Sequence, residues 1–484
     1  MVNLAGGVTG ASIGLVLAAV VSRHLGADGA GAYFLVVAVF MIVSNVAELG
    51  ADTGLVRFVS AARATGRPQL APHLLQIALR PVVLVGAGAV GAAAVWAVVV
   101  PVELAGLPSW FVVAAVAAAV LASLIAVLLA VARGLGDVAA YPVLQNIALP
   151  VLRLVAVVAV VLAGGGAISI VVAWVAPVPV VLAICVVVVI ALLARSAGSA
   201  RPAPMPALER RRAAREFWSF SGARGLSAAA EILLEWSDVI LVGILASPES
   251  AGVYAVVTRC ARAGEIVQQA ARIAVGPQIS AALARGATAE AGRLYGGVTA
   301  AIIWLSWPFY LVVAIFADAL LSVFGQGFER GAVALAVLSG AMALAAAAGT
   351  VQTILLMGGR SRWQLADKSV ALVINIGLNV VLVPVWGIEG AAVAWAVTIL
   401  VDTALVVHQV QRLMGVRPAG RPMATAAMLA IVMVGAPAVA ARTLWGGSVT
   451  VMLVTTVVAG LAYILVSIPL RDRLGLVDLV RRTA

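Results

Sequence analysis

The chain has 484 residues, 64% of them hydrophobic and 11% charged, with a mean hydropathy of +1.14 and a formal net charge of +11. A soluble domain carries about 25% charged residues, so a soluble globular class is excluded. The positive surplus is spread along the chain, and its one short run, Arg210 to Arg212, is flanked by Glu209 and Glu216, which excludes a nucleic-acid partner.

A membrane-crossing helix needs about 20 mostly apolar residues, and by that rule the sequence predicts about fourteen spans. They are centred near Leu15, Ile42, Gly88, Val120, Leu152, Val181, Glu231, Gln268, Ile303, Met342, Ile376, Ile399, Ala430 and Thr456. Val2 to Val20 lacks a basic leading region and a cleavage site, and reads as the first span rather than a removable signal. Arginines gather in alternate gaps: Arg57, Arg63 and Arg67; Arg133; Arg195 to Arg215; Arg285 and Arg293; Arg360 and Arg362; Arg412, Arg417 and Arg421; and Arg471 onward. Cytoplasmic loops retain Lys and Arg. This alternation therefore orients the chain, and an even span number puts both termini in the cytoplasm.

The chain also repeats itself. Tyr33 and Tyr254 are 221 residues apart, as are Asp28 and Glu249, and Gly166 to Trp174 and Gly387 to Trp395 match at that same offset. An offset of six spans preserves orientation. The expected fold is thus all-α and membrane-integral: two six-helix lobes related by a pseudo-two-fold along the membrane normal, plus two C-terminal helices. The lobes are residues 1–205 and 206–422, with 423–484 outside the repeat. The segment from Arg195 to Arg215, with Pro202, Pro204 and Pro206, reads as the linker between lobes. Secondary transporters built from such repeats hold substrate between their halves and rock around it.

Charges within spans carry the functional signal, because each costs about 2.5–3.5 kcal/mol at a helix centre on insertion scales. The second span holds Asn45, Glu48 and Asp52 at spacings of three and four. Arg153 lies mid-span in the fifth, where lipid contact is hard to explain. The seventh carries Arg224, Glu231, Glu235 and Asp238, with its acids on one face. The eighth carries Arg259, Arg262 and Glu265, and the turn near Pro248 lets the acidic and basic faces meet at similar depth. Two readings stand side by side: a structural ion-pair network, or a cavity whose arginines bind an anion while the acids exchange protons or bind a cation. Arg153, Arg224, Arg259 and Arg262 are the candidate substrate residues. Glu48, Asp52, Glu231, Glu235, Asp238 and Asp402 are the candidates for ion coupling or gating. Lys368, the only lysine, adjoins Asp367 and reads as one half of a solvated Asp–Lys pair at the interface. Two cysteines and three scattered histidines give no metal set. No nucleotide-binding or hydrolase motif is present, so neither a cofactor nor an enzymatic activity is expected.

Several runs resemble a known family. Arg23-His24-Leu25-Gly26, Gly31-Ala32-Tyr33, Glu48-Leu49-Gly50, Ala251-Gly252-Val253-Tyr254 and Pro277-Gln278-Ile279-Ser280 resemble polysaccharide-export flippases of the multidrug/oligosaccharidyl-lipid/polysaccharide exporter superfamily. The resemblance implies a monomeric plasma-membrane protein with a cationic cavity. It would move a polyprenyl-diphosphate-linked oligosaccharide from the inner to the outer leaflet by alternating access. Its implied partners are membrane lipids and a polysaccharide polymerase or glycosyltransferases. The alternatives are a lipid II flippase, a multidrug exporter, and a membrane-embedded glycosyltransferase or polymerase.

Overall fold

The computed structural model describes residues 2–99, 108–197, 206–358, 360–416, 420–471 and 474. The central part of the expected linker and most of the C-terminal tail lie outside them. The described residues are almost entirely helical and contain no strand. In hydrocarbon, a helix satisfies its backbone groups internally, and the valine- and alanine-rich composition supplies the apolar surface.

Among the described residues, ten helical segments are long and apolar enough to cross a membrane, which makes this a multi-pass membrane protein. Two of them, Thr9–Ala64 and Trp363–Leu413, run 56 and 51 residues. At about 1.5 Å per residue each exceeds twice a hydrocarbon core of about 30 Å. A glycine turns the chain back in each. Gly26 has φ 68° and ψ −175°, and Gly387 has φ 58° and ψ −131°. The return is visible in the packing: Gly10 abuts Asn146, His24 bonds the Gly165 carbonyl at 2.8 Å, and Phe40 comes back to the level of Arg153. Past Gly387, Gly390 lies against the Leu382 carbonyl. Ala207–Leu245 and the pair Pro248–Arg262 and Glu265–Ala284 are long enough for two more crossings. They are the helices that carry the charges identified above.

The chain forms two compact units, residues 1–240 and 241–484. The first half of Ala207–Leu245 packs within unit 1. Phe217 lies 5.6 Å from Phe58 between ring centroids, and Trp218 Nε1 donates to the Ile77 carbonyl at 3.3 Å.

In unit 1 the second span is broken. Its first helix ends at Glu48, the next begins at Ala51, and both linking residues are left-handed: Leu49 has φ 53° and Gly50 φ 74°. Leu49 is the only described non-glycine residue with positive φ. The break presses against residues 221–225. A Cβ on Gly225 would lie 2.5 Å from the Leu49 carbonyl carbon, and one on Gly54 would collide with the Ser221 hydroxyl.

In unit 2 the 420–467 region packs on Thr288–Ile315. Trp304 Nε1 donates to Ser467 Oγ at 2.8 Å, and the Tyr463 hydroxyl donates to the Trp304 carbonyl at 2.9 Å. The two repeat motifs pack alike in their own units. Buried Tyr33 meets Trp174 at 6.1 Å, and buried Tyr254 donates to the carbonyl of Ala391, inside the matching run that ends at Trp395.

Gly225→Val should lower the thermal unfolding midpoint of the detergent-purified protein, at an overpacking cost of about 1–3 kcal/mol. Gly340→Ala meets nothing within 4 Å and should leave the midpoint unchanged or raise it.

Candidate functional site

The broken second span brings charged groups together in unit 1. Glu48 sits at the break, with Asp52 and Arg133 as its charged neighbours. The Arg133 guanidinium lies 4.2 Å over the Tyr141 ring. Tyr141 is one turn before Gln145, whose Oε1 is buried without a hydrogen-bond partner, as is Oδ1 of Asn45. Sequence reasoning found Glu48 and Asp52 but took Arg133 as a marker of topology only. The available signal was the neighbouring Tyr141, a cation–π partner eight residues on. Arg57, counted above among the arginines that mark topology, stacks over Phe220 at 4.2 Å.

Arg153 has a different setting from the other candidate arginines. It is 8% exposed, its Nε donates to the Trp174 carbonyl at 3.1 Å, and its guanidinium lies 3.8 Å over Trp174 and 5.2 Å from the Phe40 ring centroid. A planar, weakly hydrated guanidinium suits such an aromatic cage. Its Nη2 is buried without a partner. A cavity of about 860 Å³ elsewhere in unit 1 is lined by Asp28, Ala32, Val160, Ile168, Ser169 and Val172. None of the candidate site residues lines it.

The remaining candidates sit on the charged helices. Arg224 Nη1 meets Glu231 Oε1 at 3.4 Å, two turns along one helix, with both side chains about two-fifths exposed. Arg262 meets Glu265 at 3.5 Å with both near 30% exposed, and Arg259 Nη1 donates to the Ala255 carbonyl at 3.2 Å. Glu235 is half-buried and Asp238 is buried. Solvent-exposed ion pairs of this kind contribute about 0–1 kcal/mol.

In unit 2 the structure corrects the reading of Lys368. It is not half of a solvated pair with Asp367. Its Nζ bonds Asp402 Oδ2 at 2.7 Å, with side-chain exposures of 16% and 5%. Gln352 Nε2 donates to the same oxygen at 3.0 Å, and Asp367 accepts from Gln409 at 2.8 Å. The turn at Gly387 is the reason: it folds the two arms of Ser361–His408 back on each other, so residues 34 apart become neighbours.

Arg153→Lys removes the stack and the Nε donor while keeping the charge. It should lower the thermal midpoint, with a stability loss on the order of 2 kcal/mol, and change the near-ultraviolet circular dichroism contributed by Trp174.

Comparison with known proteins agrees with this architecture. The probable low-salt glycan biosynthesis flippase Agl15 of Haloferax volcanii is 25% identical over 212 residues, covering 42% of this chain and 43% of the relative, so the match spans less than half of that protein. Lipid II flippase MurJ, in its inward closed conformation, superposes with a TM-score of 0.69 at 10% identity, over 96% of this chain and 97% of that one. A multidrug resistance MATE family transporter of the MOP superfamily, inward-facing, gives 0.61 at 15% identity over 83% and 94%. At these identities the likeness is one of fold. Residues 1–283, more than half of the chain, match the family described as polysaccharide biosynthesis protein, and the chain belongs to that family.

Proposed function

We propose that this protein is a flippase that carries a polyprenyl-diphosphate-linked oligosaccharide from the cytoplasmic to the outer leaflet of the plasma membrane. It works by alternating access of lobes 1–205 and 206–422. The observation that carries the reading is the set of half-exposed arginines, Arg224, Arg259 and Arg262, on the charged helices Ala207–Leu245 and Pro248–Arg262. A diphosphate and acidic sugars are recognised by guanidinium forks. The local partners Glu231 and Glu265 hold two of these arginines until substrate arrives. Arg153, caged by Trp174 and Phe40, takes the supporting part of fixing the span that carries it. Glu48, Asp52, Glu231, Glu235, Asp238 and Asp402 are the proposed ion-coupling or gating groups. The polar headgroup crosses in a shielded, wet path, and the polyprenyl tail stays in the bilayer. Arginine-rich gaps put both termini in the cytoplasm. The fold likeness to MurJ makes lipid II the second reading.

Deleting the gene should cause a lipid-linked oligosaccharide to accumulate on the cytoplasmic side, identified by mass spectrometry of extracted lipids. Accumulation of lipid II would select the second reading. Arg259→Ala and Arg262→Ala should each reduce export at least tenfold, a transition of about 1.4 kcal/mol or more, at normal protein levels. Loss of the protein itself would assign these arginines to the fold. Glu231→Gln and Glu235→Gln should change the pH dependence of flipping in proteoliposomes, and an unchanged profile in both removes them from coupling.

A further inference from the structure

We infer that the cavity of about 860 Å³ in unit 1 seats one membrane lipid with an ammonium headgroup. The ammonium meets Asp28, and an acyl chain lies along Ile168 and Val172. The arginines of the proposed transport path take no part in this, so the inference goes beyond the saccharide reading.

The cavity lies where the first hairpin turns. Gly26, at φ 68°, joins two arms that each cross the membrane. Asp28 and Gly29, just past the turn, therefore stand at a membrane face, in the headgroup region that borders the hydrocarbon. His24 ties the opposite wall to this turn, its Nε2 2.8 Å from the carbonyl of Gly165, next to the lining residue Gly166. The lining is small and apolar apart from Asp28 and Ser169, and the Ser169 hydroxyl already donates to the Gly166 carbonyl at 2.8 Å. Asp28 is thus the one charged side chain in the lining. Ile168 and Val172 are two-fifths to half exposed on a segment long and apolar enough to cross a membrane, so this side of the cavity opens to lipid. An apolar space with few polar groups, of about 300–1,000 Å³, is the ordinary form of a small-molecule site.

The internal repeat identifies what the occupant must supply. At the offset of 221, Glu249 matches Asp28, and Arg330 binds Glu249 in an ion pair. The residue that matches Arg330 in unit 1 is Ser109. Among the described residues, no hydrogen bond or ion pair reaches Asp28. Three positions in the cavity lining, Gly29, Ala32 and Ala167, are matched by the larger Ser250, Val253 and Ile388, and both Val253 and Ile388 are buried. Unit 1 therefore has an open carboxylate where unit 2 has a closed pair, and small side chains where unit 2 has bulky ones. An ammonium supplies the charge-assisted hydrogen bonds that Arg330 supplies to Glu249, and a methylene chain takes the volume of the missing side-chain carbons. A soluble cation lacks the chain, and an anionic lipid lacks the positive charge. An ammonium-headed lipid has both, and the bilayer around Ile168 and Val172 delivers it.

The test is native mass spectrometry of the full-length chain, delipidated in detergent and titrated with one of two lipids. One is dioleoylphosphatidylethanolamine, and the other is its N-acetyl derivative, which has the same chains and no ammonium. The wild type should saturate with a single tightly held phosphatidylethanolamine and hold the N-acetyl lipid about fivefold more weakly. Asp28→Asn should bring the two lipids to equal affinity. Ala32→Val combined with Ala167→Ile, the residues of the sister unit, should remove the tight site for both lipids. Equal affinity of the wild type for the two lipids overturns the assignment of the ammonium to Asp28, as does an undiminished preference in Asp28→Asn. An undiminished tight site in the double variant places the lipid elsewhere on the surface and overturns the seat. If the double variant does not fold, Ala167→Ile alone is read in the same way: weakened binding of both lipids supports the seat, and unchanged binding overturns it.

Discussion

Hydrocarbon offers no water, so each polar group placed within a span must find its partner inside the protein. That constraint organises what surrounds the charges here. Arg153 is met by two aromatic rings and a carbonyl. Lys368 is met by a carboxylate that is itself held by a glutamine. Glu48 lies at a helix break beside Arg133. Each arrangement compensates a charge by a different chemistry, and each fixes a particular pair of helices. The Arg224 and Arg262 side chains, each in an ion pair, remain partly exposed.

The same constraint bears on the backbone. Breaking a helix in a membrane frees carbonyl and amide groups, and such breaks persist only where other protein covers them. At Leu49 and Gly50 the cover is residues 221–225, whose approach requires glycine at both 50 and 225. A left-handed leucine costs on the order of 1 kcal/mol or more, and packing has to offset it. The result is a second span made of two rods, one continuous with the hairpin tip and the other seated on Ala207–Leu245.

Much of this was legible in the sequence because hydropathy and arginine distribution act locally, residue by residue. The glycines at the hairpin tips stand beside the residues they separate, and the Tyr33/Tyr254 and Trp174/Trp395 matches needed only a constant offset. The depth of Glu48 and Arg153 could be counted from span ends. Pairing could not be read this way. Asp402 and Lys368 become partners because a hairpin folds at Gly387, and chain proximity pointed instead to Asp367. The aromatic cage of Arg153 draws on Phe40 and Trp174, each more than twenty residues away in sequence. Arg133 was hidden by its own type, since an arginine at a span end is the ordinary mark of a cytoplasmic loop and signals nothing more. The charged helices escape a purely apolar count for the same reason that they are of interest.

Lys368 is the chain's sole lysine, and only 16% of its side chain is exposed. An amine-directed reagent therefore has a single, shielded side chain to find, and acylation requires the ammonium first to leave Asp402 and lose its proton. The rate of that one modification, followed by peptide mass, becomes a clock for the opening of a buried ion pair.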